Sequence, residues 1–142
     1  MELDFDDALM WGLRGYVRRV TEELELSGES SYVQAERPAG AYLALEGRLP
    51  GFPDRDVALL WDEERGWSAA VETHSGEDVL VQAHFGADVV PTPKAVARWV
   101  RALLRGERSA SDVPPRAPDD LTRRLAPYTA AALVPLPRDA RV

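Results

Sequence analysis

The sequence predicts an α+β fold: a single antiparallel sheet of about five strands, with an N-terminal and a C-terminal amphipathic helix packed on one face. Apolar residues recur three and four positions apart in one segment near each end of residues 1–106, which is typical of amphipathic helices. Five segments between them are short, rich in valine, leucine and aromatic residues, and separated by turn-forming residues, as expected of strands. Short turns between successive strands favour antiparallel pairing.

The first helix is predicted to be capped by Asp6 or Asp7 and to end near Ser27-Gly28, because glycine readily adopts the left-handed conformation that ends a helix. Its spacing of three and four places the apolar residues on one side. These residues are Leu9, Leu13, Tyr16, Val17, Val20 and Leu24.

The second helix is predicted to be capped by Thr92, to open at Pro93 and to end at Gly106. A proline at the first helical position loses no hydrogen bond, because the first amide groups of a helix have no partner within it. The apolar face of this helix consists of Val96, Trp99, Val100 and Leu103.

The strands are predicted in five segments: SYVQAE (31–36), AYLALEG (41–47), VALLW (57–61), WSAAVET (67–73) and VLVQAHF (79–85). The loop RLPGFPDRD (48–56) interrupts them, since its two prolines and its glycine exclude regular pairing. Residues 1–106 are therefore expected to form the α+β domain. Residues 107–142 are expected to form a proline-rich C-terminal arm with one short helix in DDLTRRLAPY.

Trp61 and Trp67 are separated by a turn in which Gly66 suits the left-handed position of a three-residue hairpin loop. An odd number of loop residues places both tryptophans on the same face of the sheet, together with Val57 and Leu59. We therefore predict that both indoles are buried on the face that the helices cover.

The turn at Ser75-Gly76 obeys the same rule, because an odd loop there aligns Val79, Val81, Ala83 and Phe85 with the tryptophan face. The opposite face of the sheet is then flat and built of small and apolar side chains. We predict that it is an interface, either with another protein or with a second copy of the chain in a homodimer. Its predicted members are Ala58, Leu60, Ser68, Ala70 and Leu80.

The composition restricts the class of protein. A chain of 142 residues with 45% hydrophobic residues is expected to form one core, and it has no apolar run long enough to span a membrane. The N-terminus is acidic where a secretory signal is basic, and there is no cysteine, so a cytoplasmic location is expected. The net charge of −7 argues against nucleic acid as a partner.

No catalytic or metal-binding constellation is present in the sequence. His74 and His84 are the only histidines, and they do not have the spacing of metal ligands. The carboxylate pairs lie at helix caps and turns, where acidic residues have structural roles. We therefore expect neither enzymatic activity nor a cofactor or metal.

The loop EGRLPGFPDRD (46–56) is the segment with the most specific composition. It combines arginines, carboxylates and an aromatic residue between prolines, which is suited to recognition of a ligand or partner. Its candidate binding residues are Arg48, Phe52, Asp54, Arg55 and Asp56. The alternative is that its arginines pair with local carboxylates and simply hold a long crossover in place.

The segments LRGYVRRV, AYLALEGRLPGFPDRD, LLWDEERGW and VARWVRALL, in this order, resemble a small uncharacterised domain family of high-GC actinobacteria. The resemblance covers about residues 9 to 105 and implies no activity and no site residues. A single lysine against sixteen arginines, with no asparagine or isoleucine, independently indicates a GC-rich genome.

The expected function is therefore that of a non-enzymatic binding or regulatory module that acts through protein–protein contact. The alternative is an acidic neutralising partner, such as an immunity protein or antitoxin, that masks a basic protein. An enzyme with a carboxylate-based mechanism is a distant third.

Overall fold

The computed structural model describes residues 5–26, 31–34, 36–73, 78–107 and 120–132. Within them, five strands form one antiparallel sheet in which each strand pairs with the next along the chain, as predicted for an α+β fold. The elements are α1 (Phe5–Glu23), β1 (Ser31–Gln34), β2 (Gly40–Leu45), β3 (Val57–Asp62), β4 (Gly66–Glu72), β5 (Val79–His84), α2 (Pro93–Leu104), α3 (Leu121–Leu125), a 3₁₀ turn (Ala126–Tyr128) and α4 (Thr129–Ala132). His74, the turn at Ser75-Gly76 and residues 108–119 of the C-terminal arm lie outside the described residues.

Helix α1 ends earlier than predicted, at Glu23 rather than near Ser27-Gly28. Glu25 takes the left-handed conformation expected of the glycine, with φ of 59°. The amide of Leu26 then donates to the carbonyl of Thr21 at 2.9 Å, which closes the helix by the bond between positions C″ and C3 of a Schellman motif. The last turn is therefore closed by the backbone without a glycine.

Helix α2 has the predicted boundaries. The side chain of Thr92 accepts a hydrogen bond from the amide of Ala95 at 3.2 Å, and Pro93 occupies the first turn. Gly106 follows the helix with φ of 88°, and the backbone amide of Glu107 donates to the carbonyl of Ala102 at 2.9 Å. The cap, the opening proline and the terminal glycine are confirmed.

The β3–β4 hairpin confirms the prediction for the two tryptophans. Three residues lie between the paired Asp62 and Gly66, and Gly66 has φ of 71°. Trp61 and Trp67 are direct cross-strand partners, and their side chains are 2% and 0% exposed. Both lie in the hydrophobic core with α1 and α2.

The β4–β5 pairing differs from the prediction in its outer half. Ala69 pairs with Ala83, but Ala70 pairs with Val81, so Gln82 is an extra residue that forms a β-bulge. The bulge turns Val79 and Val81, which we predicted on the tryptophan face, to the opposite face. Leu80, predicted on the opposite face, now pairs with Val71 and lies on the tryptophan side.

The indole N–H groups of both tryptophans have partners inside the core. Trp61 donates through Nε1 to the carbonyl oxygen of Val89 at 2.7 Å. Trp67 donates to the hydroxyl oxygen of Tyr16 at 2.9 Å, and that hydroxyl donates to the carbonyl of Pro91. Burial raises the pKa of Tyr16 well above its usual value. These bonds join the sheet, α1 and the segment before α2 into one unit.

Residues 120–132 pack against α1 at two glycines. A Cβ atom on Gly12 would lie 2.9 Å from Cβ of Leu125, and one on Gly15 would lie 1.6 Å from the carbonyl oxygen of Tyr128. Leu125 is completely buried, and the rings of Tyr16 and Tyr128 meet edge to face at 4.9 Å. This part of the arm, expected to hold one short helix, forms three consecutive helical turns and joins the core.

Among the described residues, no helix combines the length and the apolar character needed to cross a membrane.

Candidate functional site

The loop 46–56, the first candidate, is held by contacts with its own chain. The guanidinium of Arg48 lies 3.1 Å from the carboxylate of Asp56 and also donates to the carbonyl of Gly47 at 3.0 Å. Arg55 donates to the backbone carbonyl of Glu72 at 3.3 Å, which ties the loop to the end of β4. Three of the predicted binding residues are thus engaged within the chain: Arg48 and Asp56 pair inside the loop, and Arg55 connects the loop to the sheet.

The remaining loop residues do not converge on a common point. Phe52 is half-buried against the apolar cluster of Leu49, Val57 and Val71, whereas Asp54 is exposed in the turn. The amide of Phe52 donates to the carbonyl of Leu49 at 2.8 Å, which folds the chain back at this point. The aromatic ring therefore anchors the loop on the core.

A cleft of about 200 Å³ lies beneath this loop, between Phe52, the strands β4 and β5, and the end of α2. Its walls are mainly apolar, with Ala69, Ala83 and Leu103 among them. Glu107 also lines it, but its carboxylate lies 2.7 Å from Arg105, which holds the pKa of Glu107 below its usual value. The cleft is smaller than the ~300–1,000 Å³ typical of sites for small-molecule ligands.

The predicted interface on the opposite face of the sheet is only partly open. Ala58 and Ala70 have no exposed area, Ser68 is buried, and Leu60 is half-buried. Leu80 is separated from them by the bulge and lies on the other face. The structure therefore brings together four of the five residues, but three of these four are covered.

A hydrogen bond crosses this face above Ala58. The hydroxyl of Tyr42 on β2 donates to the carboxylate of Glu72 on β4 at 2.7 Å. Strand β3 lies between them, and the register places Ala58 midway between the levels of the two residues. Tyr42 and Glu72 thus bridge over the alanines. Partial burial, together with the neighbouring Glu72 carboxylate, raises the pKa of Tyr42 to about 12.

The Tyr42–Glu72 contact was not predicted, although part of the signal is present in the sequence. The alternation in AYLALE places Tyr42 and Ala44 on the face opposite Ala41 and Leu43. The pairing confirms this, since Tyr42 lies opposite Leu60. The sequence does not indicate the direction in which the ring lies.

The outer edge of β5 exposes the largest continuous apolar stretch of the described strands. Val79, Leu80 and Val81 are 37%, 50% and 47% exposed, respectively. Successive strand residues alternate in direction, and the bulge places the two valines on the face opposite the tryptophans and the leucine on the tryptophan face. Within the described part of the chain, β5 pairs only with β4, so its outer backbone groups meet no other strand.

Two carboxylates with lowered pKa values have structural partners. A hydrogen bond from Arg37 lowers the pKa of Glu63 against the effect of its partial burial, and the amide of Ala39 adds a further bond. Partial burial of Asp88 acts to raise its pKa. Hydrogen bonds from Arg124, at 2.7 Å, and from backbone amides have a larger effect, so the pKa of Asp88 lies below its usual value. Each pair joins two separate parts of the chain.

The described residues contain no group of three histidine or acidic side chains that could hold a metal ion. His84, on β5 opposite Ser68, is half-buried, and its Nδ1 atom is buried without a hydrogen-bond partner. None of the ion pairs between described residues includes His84. We therefore find no converging acid–base pair in this part of the molecule.

Comparison with known proteins identifies the family. Residues 16–102 match the family of unknown function DUF6292, and this segment runs from α1 through the whole sheet to α2. No curated protein and no solved structure matches the chain. Residues 120–132 lie beyond the matched segment, as do Gly12 and Gly15, against which they pack. The chain belongs to DUF6292, an uncharacterised domain family.

Proposed function

We propose that this protein is a non-enzymatic binding module that acts through protein–protein contact at the outer edge of β5. The observation that carries the proposal is the exposure of three consecutive large apolar residues, Val79 to Val81, on an edge strand. Proteins usually protect such edges with charges or prolines, because exposed backbone groups beside apolar side chains recruit further strands. Val79 to Val81 carry neither a charge nor a proline, so this stretch of the edge is suited to strand pairing with a partner.

The partner that fits this edge is a second copy of the chain. If two β5 strands pair antiparallel about Leu80, Val79 of one copy lies opposite Val81 of the other, and leucine meets leucine. The next pair on each side then consists of Asp78 and Gln82, whose carboxylate and amide can form a hydrogen bond. The edge is therefore complementary to itself in both shape and polarity.

The expected contact is weak. The bulge at Gln82 limits regular pairing to a few residues, and so short a contact buries less than the ~800 Å² per subunit of a standard interface. We therefore expect a dimer that dissociates at micromolar concentrations. A regulatory module that must release its partner would have this property.

The test is sedimentation velocity over a concentration series that extends into the upper micromolar range. Val81→Lys should abolish the dimer, because lysine on an edge strand opposes further pairing. The matched control is Tyr32→Lys, which places the same charge at an exposed aromatic residue on the opposite edge, β1. A wild-type protein that stays monomeric, or equal dimerisation of wild type and Val81→Lys, would refute the contact at β5.

The alternative, an acidic neutralising partner, is supported by the net charge of −7. The charges are unevenly placed, however, because the exposed side of α2 is basic. Four cationic residues line a groove there together with Glu23: Lys94, Arg98, Arg101 and Arg105. This distribution favours the binding module. A neutralising partner should instead bind a basic protein with an affinity that falls steeply with salt.

We further infer a reducing, cytoplasmic location from the absence of cysteine, and an origin in a GC-rich genome such as those of actinobacteria from the residue bias.

A further inference from the structure

A groove of about 350 Å³ runs between α1 and the outer edge of β1. Three residues of the helix and three of the strand line it: Arg14, Val17, Arg18, Ser31, Tyr32 and Val33. Val17 is buried and Val33 half-buried against the core, so the floor of the groove is apolar. One wall is therefore a helix with arginines, and the other is the edge of a strand.

The strand wall is an outer edge of the described sheet. Within the described residues, β1 pairs only with β2, over Ser31 to Gln34, and it is the first strand in the order of the sheet. In an antiparallel strand every second residue directs its N–H and C=O groups away from its neighbour. These groups face the groove. Tyr32, which is 66% exposed, lies beside them on the other face of the sheet.

The helix wall supplies positive charge. Arg14 is exposed, with its guanidinium 5.9 Å from the centre of the Trp11 ring. Arg18 lies 3.8 Å from Glu22, but the same carboxylate lies 3.6 Å from Arg19 and is shared between the two arginines. Arg18 also donates to the carbonyl of Ala131 in α4 at 3.4 Å. The groove is thus a basic site on an acidic protein.

We propose that this groove binds an extended acidic segment of a partner protein as an additional strand beside β1. Residues four apart on a helix are separated by about 6 Å along its axis, and alternate residues of a strand by about 6.6 Å. Carboxylates at alternate positions of the bound segment therefore face Arg14 and Arg18 in succession. The residues between them face the exposed ring of Tyr32. The motif selected is acidic–any–acidic, with an apolar residue favoured in the middle.

This inference does not depend on the proposed contact at β5, which lies at the opposite edge of the sheet. Peptide binding is therefore measured on wild type and on Val81→Lys, and both should bind equally. Loss of binding in Val81→Lys would place the peptide at β5 and overturn the site at β1.

The experiment uses fluorescence anisotropy with a labelled hexapeptide of alternating glutamate and valine at low salt. Reversing both charges, with Arg14→Glu and Arg18→Glu, should weaken binding by at least about tenfold, since each lost attraction becomes a repulsion. The control reverses two exposed charges with the same spacing on α2, with Lys94→Glu and Arg98→Glu. That change should alter affinity by less than about threefold. The single variant Arg14→Glu, at an exposed position, should give a smaller loss in the same direction.

Three results would overturn the proposal. One is equal weakening by the control pair on α2, which would mean that net charge alone attracts the peptide. Another is that a peptide with three consecutive glutamates binds as tightly as the alternating peptide. The third uses two peptides, one with N-methylated amides at the odd positions and the other at the even positions. At least one of them should bind at least about tenfold more weakly than the unmethylated peptide, because it cannot pair with β1. Unchanged binding of both would exclude addition of a strand.

Discussion

Replacing Tyr16 with phenylalanine tests directly whether the buried hydroxyl of Tyr16 stabilises the core. The substitution keeps the ring and removes one buried oxygen, which accepts from Trp67 at 2.9 Å and donates to the carbonyl of Pro91. Both Tyr16 and Trp67 are 0% exposed, so water cannot replace the lost partner. The indole N–H of Trp67 and the carbonyl of Pro91 then remain unpaired. Each unpaired group costs about 1–3 kcal/mol of stability, which sums to about 2–6 kcal/mol. We expect a loss in the lower half of this range, because the removed hydroxyl no longer has to be desolvated.

The assay is equilibrium unfolding in urea, followed by tryptophan fluorescence and by circular dichroism. A loss of about 2–4 kcal/mol is a large part of the roughly 5–15 kcal/mol that stabilises a typical domain. Tyr32→Phe, which removes an exposed hydroxyl, is the control and should change stability by less than about 0.5 kcal/mol. In a Trp67→Phe background, which lacks the indole donor, Tyr16→Phe should have a smaller effect. A loss below about 0.5 kcal/mol, or the same loss in both backgrounds, would refute the reasoning.

Three further predictions follow from the same structure. Gly15→Ala should destabilise the protein by about 1–3 kcal/mol in thermal unfolding, because the added methyl group meets the carbonyl of Tyr128, although alanine is the better helix former. The control is Gly51→Ala, which should be nearly neutral because nothing lies within 4 Å of the added methyl group. The pKa of Glu63 is lowered in the folded state, so its contribution to stability should be present above the ordinary glutamate pKa and lost as the pH falls below it. Glu63→Gln should therefore be less stable than wild type at neutral pH and should approach it in acid-unfolding curves. In ultraviolet titration, Tyr42 should ionise near pH 12, and Glu72→Gln should bring that step closer to 10.

The arrangement of the tryptophans could be predicted because local chemistry determines it. Gly66 supplies the left-handed residue of a three-residue loop, and that loop length alone places Trp61 opposite Trp67. An even loop would have put one indole on the uncovered face, so burial and turn geometry agree. The cap at Thr92 was predictable for the same reason, since it depends on residues within one turn.

The prediction for the outer half of β5 was wrong because the sequence there does not define a face. Val79, Leu80 and Val81 are all apolar, so a strand shifted by one residue buries a similar side chain. The bulge at Gln82 is such a shift, and it leaves no mark in the pattern of apolar residues. The alternative faces are distinguished only by the packing of the whole sheet.

The sequence contains a signal for the packing of residues 120–132 that helix periodicity does not show. Gly12 and Gly15 lie three apart on α1, where glycine weakens a helix unless another backbone approaches closely. The close approach is that of Leu125 and Tyr128. Both sides of this contact lie outside the segment that matches DUF6292, so the contact is an addition to the part of the chain that the family defines.

The Tyr42–Glu72 hydrogen bond explains why contact is expected at the edges of the sheet rather than at its open face. Small side chains such as Ala58 and Ala70 leave space above the sheet, and a long side chain of the same molecule fills it. A partner docking on that face would have to displace a bond that links two strands across a third. At the edges of β1 and β5 it would not have to displace another described strand. The two proposed contacts therefore lie at the edges of the sheet, one at an apolar strand and the other beside two arginines of α1.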